Sequence, residues 1–182
     1  MEKICLNKEK VRLYSDWYVL HVKAGRERFI KEQIEKYASK PVEMTIFQRE
    51  IIHTRKGNKV KITGPLFKGY IFVHKKIDEV LKIAKQFLKR ESIYPICVDN
   101  KPCQVYKDEM ELLLRNTNKN GTFLLSHGLK AGDKVEVTDG PLKTLQGNIL
   151  WIDEKKSKAK VELYLFKRKM RVNLGVEVVG KK

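Results

Sequence analysis

A chain of 182 residues with 42% hydrophobic residues can bury a core as one large domain or two small ones, and this composition excludes intrinsic disorder. Its 39 Lys and Arg residues against 22 Asp and Glu residues give a net charge of +17, which indicates phosphate backbones as the leading partner and anionic membrane as the second. No apolar run approaches the ~18 residues of a membrane-spanning helix, and the N-terminus lacks a signal peptide's apolar core, so we expect a cytoplasmic protein without a membrane partner.

The first part of the chain alternates between strand and helix patterns. Residues 1–15 are polar and lysine-rich and are predicted to form an extension. Alternating apolar residues predict strands, and apolar residues at helical spacing predict helices. The predicted elements are a strand at 17–22, a helix at 26–38, a strand at 44–53 with a hairpin tip at 54–59, a strand at 66–73, a helix at 77–90, a strand at 93–98 and a helix at 108–116. This β-α-β-β-α-β order predicts a ferredoxin-like α/β sandwich and an α+β fold class.

The last third of the chain has the pattern of short strands. Alternating or continuous apolar runs are separated by turn signals about every ten residues, among them Asp139-Gly140-Pro141 and the charged corner 153–158. Five such strands predict a small β-barrel that closes its own edges. We therefore divide the chain into an N-terminal extension (1–15), a first domain (16–116), an Asn- and Gly-rich linker (117–129) and a barrel domain (130–182).

No constellation of residues in the sequence predicts catalysis. The turn at Gly140 lacks the Gly-Lys-Ser/Thr sequence and the following helix of a phosphate-binding loop. The three cysteines are odd in number and show no CxxC spacing, which argues against zinc and against a disulfide framework. The histidines have no Asp, Cys or Ser at the spacing of a ligand set or triad, and they are His21, His53, His74 and His127. We expect a protein that is not an enzyme and holds neither metal nor cofactor.

Two sets of residues resemble a known family. Gly132-Asp133, Gly140-Pro141 and Gly147 resemble a KOW motif in its NusG-type, SH3-like setting. Upstream, the segments 17–22 and 64–73 resemble two strands of the NusG N-terminal (NGN) domain. The resemblance covers residues 16–182 in the family's order and spacing, and it implies the same two folds that the pattern predicts.

The resemblance gives the aromatic residues of the NGN half a role. By pattern alone, an aromatic residue in a strand is most often part of the core. In NusG-like proteins, the aromatics at these positions belong to an apolar patch that docks on the clamp helices of the largest subunit of RNA polymerase. Lys68 stands where the family usually has Pro, which would place a positive charge at the rim of the patch. The resemblance therefore implies polymerase binding by Trp17, Leu66, Phe67, Lys68 and Tyr70.

The KOW half departs from housekeeping NusG in two ways. Leu142 and Leu145 stand where the family has aromatics that help to hold ribosomal protein S10 or the termination factor Rho, which makes these two partners doubtful. A basic run at 167–171 replaces the family's Gly-Arg-x-x-Pro stretch, and together with the lysines at 155–160 it gives two basic runs on adjoining predicted strands. A solvated surface is one interpretation of these runs, and a nucleic-acid interface is the other. The candidate RNA-binding residues are Lys155, Lys156, Lys158, Lys160, Lys167, Arg168, Lys169 and Arg171.

The resemblance implies a monomeric transcription elongation and antitermination factor, most similar to the LoaP group of specialised paralogues. Its NGN domain would bind RNA polymerase, and its KOW domain would remain a β-barrel and bind an RNA hairpin in the leader transcript of selected operons. A general NusG that links polymerase to Rho or ribosomal protein S10 is the first alternative. A ribosome-associated KOW protein is the second, but it would leave the Trp17 and Phe67–Tyr70 strands unexplained.

Overall fold

The computed structural model describes residues 16–38, 40–88, 93–98 and 100–181. The predicted extension, residues 1–15, and the last two residues of the predicted helix 77–90 lie outside the described residues. In chain order the elements are β1 (Trp17–His21), α1 (Glu27–Tyr37), β2 (Glu43–Thr45), β3 (Gln48–Arg55), β4 (Asn58–Pro65), β5 (Tyr70–His74), α2 (Ile77–Leu88), β6 (Tyr94–Pro95), β7 (Cys97–Val98), β8 (Lys101–Pro102), α3 (Lys107–Arg115), β9 (Thr122–Phe123), β10 (Ser126–Ala131), β11 (Lys134–Asp139), α4 (Pro141–Thr144), β12 (Ile149–Asp153), β13 (Lys158–Leu165) and β14 (Arg168–Lys181), with a 3₁₀ turn at Gln146–Asn148.

The chain divides into two compact units. The first unit comprises Met1–Thr45 and Gly69–Leu112, and the second comprises Ile46–Lys68 and Leu113–Lys182. The second unit therefore combines the β3–β4 hairpin with the strands of the C-terminal third. Both units contain helices and strands, and the predicted α+β fold class is confirmed.

The first unit is built on a four-stranded sheet in the order β2-β5-β1-β6. Each neighbouring pair is antiparallel, and the register of β1 and β5 sets Trp17 opposite His74 and His21 opposite Tyr70. This is the strand order of the predicted ferredoxin-like sandwich. The helices present apolar stripes to the core, where Ile30 and Ile34 of α1 are fully buried.

The second unit contains a five-stranded sheet in the order β11-β10-β14-β13-β12. Strands β13 and β14 pair over eight residues and are joined by a two-residue turn. Residues 134–172 are mainly strand, as the alternating pattern predicted, and they do not form a helical hairpin. The β3–β4 hairpin turns at Lys56-Gly57, at the predicted tip, and β3 pairs in parallel with β9.

Several boundaries differ from the prediction because non-local pairing decides them. The predicted strand 66–73 begins only at Tyr70, because Leu66–Gly69 is a turn in which Gly69 has a φ of +79°. Segment 117–129, predicted as a linker, contains β9 and most of β10. Strand β10 fits between β11 and β14 because Gly128 lacks a side chain; a Cβ there would lie 2.9 Å from the carbonyl oxygen of Glu136.

The turn predicted at Asp139-Gly140-Pro141 continues as the one-turn helix α4. The last two of the five strands predicted in this part of the chain, at 170–174 and 176–179, form the single strand β14, which passes close to β3 at Gly175. A Cβ on Gly175 would lie 2.5 Å from the carbonyl oxygen of Glu50, so glycine allows the long strand to pass there. The sheet therefore has five strands, the predicted number, but they are not the five predicted strands. Strand β10 was not predicted, and two predicted strands form the single strand β14.

Candidate functional site

The predicted polymerase-binding residues lie in the turn before β5, at the first residue of β5 and at the first residue of β1, where Trp17 is opposite His74 at the far end of β5. They fall in different units: Trp17 and Tyr70 in the first, and Leu66, Phe67 and Lys68 in the second. Trp17 exposes 4% of its surface and Phe67 5%, and Leu66 is also buried. Tyr70 is half-buried and Lys68 is exposed. The accessible surface at these five positions therefore comes mainly from Tyr70 and Lys68.

Hydrogen bonds fix the second half of this turn within the first unit. The amide of Gly69 donates to Oε1 of Glu27 at 2.6 Å, and its carbonyl accepts from the amide of Val22 at 2.8 Å. Glu27 lies in the first turn of α1 and exposes only 5% of its surface. A charged acceptor for a backbone N–H makes a strong hydrogen bond, so α1 holds the entrance to β5.

Hydrogen bonds also fix the first half of the turn within the second unit. The amide of Leu66 donates to the carbonyl of Phe47 at 2.8 Å, and Nη1 of Arg49 donates to the carbonyl of Leu66 at 3.3 Å. Burial lowers the pKa of the Arg49 guanidinium. Both ends of the turn are thus held by contacts that the linear sequence does not reveal.

Two aromatic contacts place the side chains of the first unit. The Trp17 ring stacks on His74, with the ring centroids 4.9 Å apart and the planes 8° apart. The Tyr70 ring meets His21 edge-on, with centroids 5.8 Å apart. Both pairs lie opposite each other across the β1–β5 register, as cross-strand pairs do.

The candidate RNA-binding residues follow the register of β13 and β14. On β13, Ala159, Val161, Leu163 and Leu165 are buried, and the residues between them face the opposite side. We call this opposite side of β12, β13 and β14 the outer face. Residues paired across a ladder lie on one side of a sheet, and the outer face consists of Trp151, Asp153, Lys158, Lys160, Glu162, Tyr164, Lys169, Arg171 and Asn173.

The structure brings four of the predicted RNA-binding residues onto one surface and separates the rest. Lys158, Lys160, Lys169 and Arg171 share the outer face. The exposed Lys155 and Lys156 lie in the turn before β13, and Lys167 lies in the turn after it. Eight strand residues at ~3.4 Å each put these two turns on the order of 25 Å apart. Arg168 pairs with Leu165 and so belongs to the alternate series of β14.

Glu162 organises the positive charges at the centre of the outer face. Its Oε1 lies 3.0 Å from Nζ of Lys169, and its Oε2 accepts a hydrogen bond of 3.2 Å from Nε of Arg171. Hydrogen bonds from Lys169 and then Arg171 lower the pKa of the Glu162 carboxyl. The carboxylate therefore holds two cations side by side, and it neutralises part of their charge.

Two aromatic residues of the outer face were not among the sequence candidates. Trp151 exposes 46% of its surface and Tyr164 exposes 61%. Nζ of Lys160 lies 5.9 Å from the centroid of the Trp151 ring, within the range of a cation–π contact. The alternation of Lys158, Lys160 and Glu162 with buried residues could have placed Tyr164 on this face, because the same period continues to it.

The turn between β13 and β14 has an unusual conformation for its residues. Phe166 has a φ of +56° and Lys167 a φ of +58°, as both central residues of a type I′ hairpin turn require. Phe166 is fully buried, whereas Lys167 is exposed. A lysine therefore occupies a left-handed position that glycine would occupy at lower cost.

The two leucines at the expected protein-partner positions are buried. Leu142 exposes none of its surface and Leu145 exposes 1%. The amide of Leu142 donates to Oγ of the fully buried Ser126 at 3.1 Å. A Cβ at Gly140 would lie 2.6 Å from that same oxygen, so the Gly140-Pro141 turn closes directly onto Ser126. These residues pack α4 against β10 and β11 and offer little surface to a partner.

Over the described residues, no cluster of three or more His, Cys, Asp or Glu side chains has the arrangement of a metal site. No helix in the described part of the chain is long and apolar enough to span a membrane. Two histidine–carboxylate contacts occur in the described residues, His74 Nδ1–Glu43 Oε2 at 2.7 Å and His127 Nδ1–Asp139 Oδ1 at 2.8 Å.

Comparison with known proteins gives a consistent result. The family model described as "Transcription termination factor nusG" matches residues 15–114, which is more than half of the chain. The chain is 26% identical over 180 residues to the transcription termination/antitermination protein NusG of Rickettsia typhi, with 91% of this chain and 89% of the relative covered. It is 25% identical over 166 residues to the Helicobacter pylori protein of the same name, with 87% and 94% covered. A solved structure of Thermotoga maritima NusG covers 90% of this chain and 95% of its own, with 20% identity and a TM-score of 0.45.

Proposed function

The chain belongs to the NusG family of transcription factors, and we propose that it is a specialised antiterminator that promotes processive transcription of selected operons. In this proposal the NGN domain (16–116) binds RNA polymerase, and the KOW domain (130–182) binds an RNA hairpin in the leader transcript. Members of this family are not enzymes, which agrees with the absence of a catalytic constellation in the sequence. The observation that carries the RNA-binding role is the set of four cations on the outer face.

The polymerase-binding half of the proposal rests on the turn before β5. We assign binding of the clamp helices of the largest polymerase subunit to Trp17, Leu66, Phe67, Lys68 and Tyr70, the set that the family resemblance implies. The hydrogen bonds to Glu27 and Phe47 hold the backbone of this turn, so its side chains are pre-organised for docking. Tyr70 and Lys68 would make the direct contacts, because Trp17, Leu66 and Phe67 are buried.

The RNA-binding half of the proposal rests on charge and register. Lys160, Lys169 and Arg171 lie on adjoining strands of the outer face, close enough to meet neighbouring phosphates of one RNA backbone. An arginine can fork onto a phosphate or a base edge, whereas a lysine acts as a point charge. We therefore assign Arg171 the larger share of affinity and the turn residue Lys156 a purely electrostatic share.

A general elongation factor that links polymerase to Rho or ribosomal protein S10 is the second candidate. The burial of Leu142 and Leu145 argues against it, because the side chains at the expected partner surface are in the barrel core. A ribosome-associated KOW protein is weaker still, since it leaves the match of residues 15–114 to the NusG family model unexplained.

A transcription assay with the full-length protein and RNA polymerase tests the proposal. Two templates carry the same terminator, and only one of them carries a leader hairpin upstream. We expect read-through to rise on the hairpin template alone, and to fall back when Arg171→Ala is used. Lys143→Ala is the charge-matched control, because Lys143 is exposed on α4 and is not part of the outer face.

Two results would contradict the proposal. Equal read-through on both templates would indicate a general elongation factor. In direct RNA titrations, Arg171→Ala should lose more affinity than Lys156→Ala, and Lys156→Ala should flatten the salt dependence by roughly one unit. Equal small losses of RNA affinity in both variants would show that the cations of the outer face are solvated surface charges and not a specific RNA-binding site.

A further inference from the structure

The outer face exposes aromatic surface that the RNA-backbone contacts described above do not use. Trp151 and Tyr164 are among the largest side chains in the protein, yet they expose 46% and 61% of their surface. An aromatic side chain normally contributes 150–250 Å² to a core or an interface. The buried positions of β13 lie on the other side of the sheet, so the two rings are outside the core that these positions form.

The register places the two rings within one surface. Trp151 pairs with Lys160, and Tyr164 lies four residues further along β13. At ~3.4 Å per strand residue, the two rings are offset by about 14 Å along the strand direction. They are therefore too far apart to stack on each other and can each take a separate flat ligand.

Positive side chains accompany each ring. Nζ of Lys160 lies over the Trp151 ring at 5.9 Å from its centroid, and Lys169 is directly opposite Tyr164 in the ladder. Arg171 lies between them, held by Glu162. Flat aromatic rings for stacking, with cations beside them for phosphates, are the combination that binds unpaired nucleic-acid bases.

We propose that the outer face is a stacking platform for unpaired RNA bases, in which Trp151 and Tyr164 each stack one base and Lys160, Lys169 and Arg171 bind the phosphates around them. This inference rests on the proposed RNA-binding function and identifies the part of the RNA that is read. A hairpin offers unpaired bases in its loop, so the loop is the part that lies on the platform. The stem contributes phosphates to the surrounding lysines.

Charge favours RNA over a protein as the occupant of this face. The outer face carries the four cations Lys158, Lys160, Lys169 and Arg171 against the two carboxylates of Asp153 and Glu162. Asp153 lies near Nζ of Lys156 at 3.6 Å, outside the centre of the face. A protein partner would need an acidic surface to match this excess, whereas every phosphodiester supplies its own negative charge.

The test uses the full-length protein and two fluorescently labelled RNA hairpins with the same stem. One has an adenine-rich loop, and the other has the same loop with abasic nucleotides, which keep the phosphates and remove the bases. We expect the wild type to bind the intact loop more tightly. Trp151→Ala and Tyr164→Leu should each weaken its binding by about 5- to 150-fold without changing the salt dependence. Neither variant should change the binding of the abasic hairpin.

Two control variants separate stacking from loss of apolar surface. Tyr164→Phe keeps the ring and should bind as the wild type does. Leu150→Ala removes a neighbouring side chain that is 47% exposed, nearly as much as Trp151, and should leave the affinity unchanged because leucine offers no ring for stacking. Thermal unfolding of each variant confirms that the barrel is intact.

The outcomes separate this inference from the proposed function. If the two aromatic variants bind both hairpins as the wild type does while Arg171→Ala loses affinity, the platform is wrong and RNA binding stands. If the wild type binds neither hairpin at physiological salt, the proposed function fails and the platform fails with it. Loss of antitermination by the aromatic variants at unchanged RNA affinity would assign the face to a protein and overturn the platform.

Discussion

Oε1 of Glu27 accepts a 2.6 Å hydrogen bond from the backbone amide of Gly69. The carboxylate stands at the start of α1 and is almost fully buried, and the glycine has a φ of +79°. A Cβ at Gly69 would lie 2.6 Å from the carbonyl oxygen of Val22, so no larger residue fits without movement of the backbone. This one contact joins the first helix to Gly69, the residue directly before Tyr70.

Removal of the Glu27 carboxylate should destabilise the first unit. Glu27→Ala leaves the buried N–H of Gly69 without its acceptor, which costs about 1–3 kcal/mol. Urea unfolding of the full-length protein, followed by circular dichroism, measures this loss. Glu32→Ala is the control, since Glu32 is 57% exposed in its pair with Arg28 and should change the free energy of unfolding by no more than about 0.5 kcal/mol. Identical midpoints for the two variants would show that the Glu27 contact has no structural role.

Tyr70 and Phe67 should respond differently to truncation. Tyr70→Ala should weaken polymerase binding by about 2 kcal/mol, on the order of thirtyfold, with the fold preserved, because Tyr70 is half-buried and accessible. Phe67→Ala should instead cost about 3–5 kcal/mol of stability, because its side chain is 95% buried. Binding to immobilised polymerase and thermal unfolding measure the two effects.

The control for polymerase binding is Tyr94→Ala, which removes another tyrosine of the first unit that is 51% exposed. If Tyr70→Ala binds polymerase as tightly as the wild type does, the first residue of β5 is not part of the polymerase interface. Unchanged stability of Phe67→Ala would show that the phenyl ring is not a core residue.

Lys167→Gly should stabilise the protein although it removes a surface charge. Lysine at a φ of +58° carries a steric cost that glycine avoids, and the gain should be about 0.5–1 kcal/mol after the extra flexibility of glycine in the unfolded chain is included. Lys167→Ala is the matched control, because it removes the same charge and keeps a Cβ at the left-handed position. A higher thermal midpoint for the alanine variant as well would attribute the gain to charge and not to conformation.

Glu162→Gln should increase RNA affinity and steepen its salt dependence. The substitution releases Lys169 and Arg171 from the carboxylate that holds them at 3.0 and 3.2 Å, so both can bind phosphates. RNA titrations at two salt concentrations measure the change. Asp133→Asn removes one negative charge from an exposed turn away from the outer face and should have a smaller effect. Loss of affinity in Glu162→Gln would show instead that Glu162 positions the two cations for RNA.

The lowered pKa of the Glu162 carboxyl predicts that the stability of the protein depends on pH. Because the pKa of Glu162 in the folded protein is lower than its ordinary value of 4.5, its contribution to stability is complete above that value. The contribution is lost as the pH falls through the lower folded pKa. The wild type should therefore lose more stability than Glu162→Gln when the pH is lowered from about 5 to about 3. Parallel losses in the two proteins would show that the ion pairs with Lys169 and Arg171 do not contribute.

Local patterns were sufficient to predict the fold class and the organisation of the strands. The alternation at Val161, Leu163 and Leu165 predicted β13, and it also determined which residues face outward, because side chains on a strand change sides at every position. The same local information predicted the β-α-β-β-α-β order of elements along the chain and the hairpin tip at 54–59. Residues close in sequence are sufficient for such features, since the period of a strand or helix is a property of the local backbone.

The tertiary structure decided which of the predicted site residues are accessible and which come together. Trp17 and Phe67 are buried and Trp151 and Tyr164 are exposed, although all four are aromatic residues in apolar surroundings in the sequence. Burial depends on partners that are distant along the chain, such as His74 beneath Trp17.

Long-range pairing also decided the boundaries. Glu50 accepts a hydrogen bond of 2.9 Å from the amide of Leu125, 75 residues away, and so brings the β3–β4 hairpin into one unit with the C-terminal strands. The two basic runs, 155–160 and 167–171, are close together in the sequence. In the structure the full length of β13 separates the turn before it from the turn after it. Of the predicted RNA-binding residues, Lys158, Lys160, Lys169 and Arg171 therefore share one face. A local period specifies the side of a strand on which a residue lies. The strand that pairs beside it is chosen by the free energy of the whole packed chain.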